Sequence, residues 1–142
     1  MSKVALGVNN VAYTDEDGGM TTGEVAEILE KKYDVMGVFV QLHKKAILDD
    51  VSNTFLMMLK RYMATGQAWG NHSEFPLERT DAAFRDYLGR DEWQRETGKV
   101  IMAARKGVNH RKKHPYAKAN GPRPAFIDTG LYRRSFRAFL KK

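Results

Sequence analysis

The sequence predicts an α-rich α+β fold, and three observations carry that prediction. Residues 35–63 contain no proline, a single glycine (Gly37) and apolar side chains at steps of three and four, the spacing of one face of a long amphipathic helix. Thr21-Thr22-Gly23-Glu24 has the form of a helix start: the Thr21 hydroxyl accepts from a free backbone N–H, and Glu24, three residues on, returns the bond. Near the other end Phe136, Ala138 and Leu140 alternate with Arg137 and Phe139, the period of a strand with one buried face.

Taken in order, Val4, Leu6 and Val8 suggest a short strand, followed by a loop through the turn-rich Asp15-Glu16-Asp17-Gly18-Gly19. The capped helix from Thr21 carries Val25, Ile28 and Leu29 and ends near Tyr33 and Asp34. In the long central helix Phe39, Leu42, Ala46, Ile47 or Leu48, Val51, Phe55, Met58, Leu59 and Tyr62 form the expected core face. Lys44, Lys45, Asp49, Asp50, Asn53 and Lys60 fall largely on the solvated side, and Met57, Met58 and Met63 read as adaptable core filler. Gly66 and Gly70 end the helix, and residues 66–79 read as loop. A third helix spans about residues 80–88, with Gly89 as its stop. Asp91 caps a fourth, running through Trp93, Val100, Ile101 and Ala104 with Gly98 as a weak point inside it.

Beyond that point three prolines, two glycines and many cations make residues 105–124 a long basic loop. Ile127-Asp128-Thr129-Gly130 forms a turn into the last element, residues 131–140, read as a helical turn and then a strand, with a helix as the competing reading. The whole chain, 1–142, is expected to be one domain: an N-terminal arm over 1–20, a helical body over 21–105, and the basic loop and C-terminal element over 106–142.

Composition narrows the functional classes. The chain has no cysteine, which removes disulfide scaffolds, thiolate metal sites and cysteine nucleophiles. No apolar run approaches the roughly 18 residues of a membrane span, and the first residues lack the apolar core of an export signal, so assembly in the cytoplasm without a membrane partner is expected. The net charge of +7 is unevenly placed. Asp15, Glu16, Asp17, Glu24, Glu27 and Glu30 face Lys3 alone in the first thirty residues, whereas thirteen Lys or Arg face Asp128 alone from Lys99 onward. Such polarity points to two surfaces with different partners.

The catalytic motifs are missing. There is no triad, phosphate-binding glycine loop or dinucleotide fingerprint, and nothing calls for a cofactor. His110 and His114 are four apart, the spacing of a metal pair on a helix and the basis of a metal-dependent nuclease reading. Pro115 and the flanking cations oppose it, and no carboxylate lies near in sequence. The pairs Asp49-Asp50 and Asp15-Asp17 sit on an expected helix face and a turn. Residues 21–36 also resemble the opening of a helix-turn-helix, which keeps a DNA-binding regulator open, although the next helix is long and apolar where a recognition helix is short and polar. Arg105, Lys106, His110, Arg111, Lys112, Lys113, His114, Lys118, Arg123, Arg133, Arg134 and Arg137, interleaved with Tyr116, Phe126, Tyr132, Phe136 and Phe139, suit a subunit interface first and phosphate contact in a DNA channel second.

The segment Asp128-Thr129-Gly130-Leu131-Tyr132-Arg133-Arg134-Ser135-Phe136 resembles a short element of small tailed-phage morphogenesis proteins: neck, head–tail joining, tail-completion and tail-terminator subunits. The stretch from Gly107 to Tyr116 is similar to a segment found beside it, and the two upstream helices fit the same order. The resemblance implies a non-enzymatic virion component, a ring of six or twelve copies through which DNA passes, with neighbouring neck and tail proteins as partners and non-specific contact with DNA. Physically, Asp128 and Thr129 would support the turn, Gly130 would allow a positive φ or close packing, Leu131 and Phe136 would anchor the element, and Arg133, Arg134 and Arg137 would point outward.

Overall fold

The computed structural model describes residues 3–12, 20–67, 74–101, 124–126 and 130–141. Among the described residues eight elements follow one another: β1 (Lys3–Val8), α1 (Thr22–Tyr33), α2 (Val35–Thr65), β2 (Glu74–Pro76), α3 (Glu78–Gly89), α4 (Glu92–Thr97), α5 (Leu131–Ser135) and β3 (Phe136–Lys141). The architecture is α-rich α+β, with one long central helix and a small antiparallel sheet of order β1-β3-β2. The basic stretch read as a long loop lies outside the described residues.

Local chemistry explains most boundaries. Thr21 and Glu24 form the anticipated capping box, Glu24 N–H donating to the Thr21 hydroxyl at 3.3 Å and Thr21 N–H to the Glu24 carboxylate at 2.8 Å. α1 ends at Asp34, which is left-handed (φ 51°), and α2 begins one residue later. Asp34 makes no side-chain cap for α2. Glu30 does so instead, accepting from Met36 N–H at 2.8 Å and Gly37 N–H at 3.0 Å, two of the donors that a helix start leaves unpaired. Gly37 has to be small, because a Cβ there would collide with the Asp34 carboxylate.

Burial raises the Glu30 carboxyl above its ordinary 4.5, the two backbone bonds pull it partly back, and Asp34 raises it further. A carboxyl raised on folding contributes its stability fully below the unfolded pKa and loses it as pH rises through the folded one. Relative to Glu30→Gln, the wild-type chain is therefore expected to gain stability as pH falls from about 7 to about 4. Urea midpoints of both proteins across that range test this; a pH-independent difference contradicts it.

The core is aromatic. Phe84 stacks on Phe136 with centroids 3.7 Å apart and an interplanar angle of 14°, and Phe39 meets Phe84 edge-on at 5.1 Å. Val35, Leu77, Tyr87 and Trp93 are fully enclosed around them. Tyr87 finds its hydroxyl partner in the Val35 carbonyl at 3.0 Å, and Trp93 Nε1–H donates to the Tyr33 carbonyl at 3.1 Å, so both polar handles are satisfied. Burial lifts the Tyr87 hydroxyl far above its usual range. In β3, Phe136, Ala138 and Leu140 face inward, as the alternation predicted.

Several expectations need correction. Residues 66–79 are not loop throughout: Glu74–Pro76 is β2, an edge strand on β3 with Phe75 opposite Leu140. Its proline is tolerated because an edge strand needs hydrogen bonds on one side only. α3 ends at Gly89, as expected; a Cβ there would sit 2.9 Å from an Arg133 guanidinium nitrogen. Gly98 is not a weak point inside a longer fourth helix. It ends α4 with φ +67°, its N–H bonded to the Gln94 carbonyl, a conformation glycine adopts without strain. Asp91 precedes α4 without capping it; its carboxylate binds the Gln94 side chain and, at 3.1 Å, Ala125 N–H. That bond helps seat Phe126 between Tyr33 and Trp93, with centroids at 5.5 and 4.9 Å.

Asp50 is the largest correction. Placed on the solvated face by its charge, it is buried and accepts from Thr80 N–H and the Thr80 hydroxyl, both at 2.8 Å. α3 begins behind Leu77, which has no side chain able to cap it. The carboxylate therefore reaches over from α2 and supplies the missing acceptor at the positive end of α3.

Candidate interaction surface

α2 passes through two environments. Its first turns are core, with Val35 and Phe39 at zero exposure. At His43 the backbone leaves helical geometry (φ −107°, ψ 16°). The His43 ring stacks on Phe39 at 4.8 Å, and its Nε2 lies 3.1 Å from the Glu92 carboxylate. Beyond this bend, among the described residues, Ile47 and Asp50 are buried and Val51, Asn53, Thr54 and Met58 are half-buried.

Much of the remaining circumference is apolar, interrupted by exposed charges such as Asp49 and Lys60. Leu48, Phe55, Leu56, Met57, Leu59, Tyr62 and Met63 are between 48% and 76% exposed. This overturns two expectations. Leu42, Phe55, Leu59 and Tyr62, assigned to the core face, are exposed, and Met57 and Met63 fill no core; Met58 alone of the three is half-buried. The sequence did carry a signal. Apolar residues run along an exposed stripe in addition to the side that the chain itself covers, the pattern of a helix enclosed by more than its own chain. Exposed apolar side chains grouped this densely mark interaction surfaces.

An apolar groove of about 210 Å³ opens beside the base of this segment, between β1 and α2, lined by Val4, Leu6, Val40, Lys44, Ile47 and Leu48. It shares Leu48 with the exposed stripe.

The sequence-designated residues distribute as follows. Arg105, Lys106, His110, Arg111, Lys112, Lys113, His114, Lys118, Arg123, Asp128 and Thr129 lie outside the described residues. Gly130 has the positive φ (77°) anticipated for it and precedes α5. Arg134 is exposed. Arg133 and Arg137 do not simply point outward; both are half-buried against α3. Arg133 Nε–H donates to the Arg85 carbonyl at 2.8 Å, and Arg137 lies 3.9 Å from the Asp81 carboxylate while donating to the Phe136 carbonyl at 2.9 Å. Asp81 also accepts from Ala138 N–H, joining α3 to β3, and burial raises its carboxyl despite these partners. Phe136 anchors the element with zero exposure, and Leu131 is half-buried.

Among the described residues no three His, Asp or Glu side chains gather as a metal site, and no helix is long and apolar enough to cross a membrane. The carboxyls raised by burial, Glu30 and Asp81, each hold backbone N–H groups of the chain itself. Comparison with protein families, with curated proteins and with solved structures finds no match for this chain.

Proposed function

We propose that the chain is a non-enzymatic structural subunit of a tailed-phage virion, forming a ring of six or twelve copies at the neck, the head–tail junction or the tail terminus, with DNA passing through. The observation that carries the assembly half of this reading is the distal part of α2, whose apolar side chains stand open along an exposed stripe. Exposure on that scale suits a subunit completed by neighbours. The virion half rests on the likeness of residues 128–136 to phage morphogenesis proteins, a likeness carried by sequence. Within it Gly130 turns the chain and Phe136 enters the core, structural work of the kind the motif implies. The cations beyond Lys99 suit either the DNA channel or an acidic neighbour.

A helix-turn-helix regulator finds less support. Only Asp34 separates α1 from α2, and α2 runs for 31 residues, whereas the motif joins a short recognition helix through a turn of about three or four residues. A nuclease resting on His110 and His114 gains no acid cluster among the described residues.

The test is mass spectrometry of purified virions. The chain is expected at a low fixed multiple of six relative to the portal. Its absence from virions sinks the proposal, and hundreds of copies would move it to the tail tube or capsid surface.

A further inference from the structure

We infer that the exposed stripe of α2 pairs antiparallel with the same stripe of a second copy of this chain, Phe55 meeting Phe55 at a two-fold axis. The spacing comes first. Leu48, Ser52, Phe55, Leu59 and Tyr62 follow one another at steps of four, three, four and three, the repeat by which two helices interlock along a seam. All five are exposed, and Leu56 and Met63 widen the seam on one side. One flank of the helix, beside this stripe, is already occupied: Ile47 is in the core and Asp50 holds Thr80. One long face is thus free to receive a partner helix of matching length, and this same segment is such a helix.

Charge sets the direction. Asp49 and Lys60 are both exposed. They are eleven residues apart, about three turns, so they lie on the same flank of the stripe roughly 16 Å from each other. In an antiparallel pair like flanks face each other. Centring the pair on Phe55 brings Asp49 of each copy beside Lys60 of the other, twice over. A parallel pair offers Asp49 only Lys44, within the groove next to β1, and leaves Lys60 without an acid across the seam. The antiparallel register also sets Tyr62 and Met63 level with Leu48 and Ile47, at the mouth of the apolar groove formed with Val4, Leu6 and Val40. The end of each helix finds an apolar seat on the other copy, as expected of a self-complementary two-fold interface.

This pairing goes beyond the ring proposal. It is read on the isolated chain, whereas the ring is read on virions, so each fails separately. The absence of cysteine makes the test clean. Phe55→Cys, Leu48→Cys and Tyr62→Cys are made singly, oxidised mildly and run on non-reducing gels. Phe55→Cys alone is expected to yield a covalent dimer. Leu48→Cys and Tyr62→Cys should each stay monomeric alone but cross-link when mixed. Self-cross-linking of Leu48→Cys, or of Tyr62→Cys, indicates a parallel pair and overturns the inference, as does failure of all combinations. Sedimentation of the unmodified chain provides a check independent of any variant's folding. A concentration-dependent dimer is expected; a monomer at every concentration overturns the pairing and assigns the stripe to a different protein. Lys60→Glu should weaken the dimer about fivefold, and Asp49→Lys in the same chain should restore it.

Discussion

Replacing Phe84 with alanine is expected to lower the unfolding free energy by about 3–5 kcal/mol. Phe84 is fully enclosed and stands where four elements meet. It stacks on Phe136 of β3 at 3.7 Å, meets Phe39 of α2 edge-on at 5.1 Å, and reaches Tyr132 of α5 at 6.3 Å. Truncation removes the transfer energy of a buried ring and leaves a cavity that rigid aromatic neighbours cannot close. It also dissolves ring pairs worth about 0.5–1.5 kcal/mol each beyond their area. Since domains of this size are stable by about 5–15 kcal/mol, the variant should be marginal near body temperature. Phe84→Leu keeps more of the volume and should cost roughly half as much. Urea unfolding followed by circular dichroism measures both. A loss below about 1 kcal/mol for the alanine variant would mean that the stack does not hold the elements together.

Replacing Asp50 with alanine is expected to cost about 2–4 kcal/mol, an effect far above that of an ordinary charged helix residue. The substitution strands the Thr80 N–H and hydroxyl in a buried site where both are now held at 2.8 Å. It also removes a negative charge from the N-terminal end of α3. Asp50→Asn keeps an acceptor but loses the charge, so its cost should be smaller. Asp49→Ala, one residue away on the exposed side, should change stability by less than about 0.5 kcal/mol. A double-mutant cycle with Thr80→Val isolates the interaction. If Asp50→Ala and Thr80→Val simply add, the two residues do not act as a pair.

Much of the fold was legible because it rests on short-range chemistry. The capping box at Thr21 and Glu24 needs only two residues three apart and appears where the sequence places it. The extent of α2 follows from a proline-free run and Gly66. The alternation of Phe136, Ala138 and Leu140 already states which face of β3 is buried, because side chains on a strand switch sides at every residue. The fold class was therefore readable from the chain. β2 was not: Glu74, Phe75 and Pro76 are too few to show a period, and they become a strand only because β3 lies beside them with free backbone groups.

The candidate surface was half legible, for a reason of length. The sequence by itself determined that α2 would be long and rich in Leu, Phe and Met; it did not determine how much of that helix the rest of the chain covers. At about 1.5 Å per residue, the 31 residues of α2 extend for about 46 Å, while the 12 residues of α3 reach only about 18 Å. A helix so much longer than its packing partner outruns the core. Apolar side chains beyond that limit keep a core-like pattern with no core opposite them, as Phe55, Leu59 and Tyr62 do. Asp50 is the same lesson with opposite sign. Its charge spoke for solvent, and only the tertiary structure, by setting the uncapped start of α3 against it, made burial the lower-energy choice.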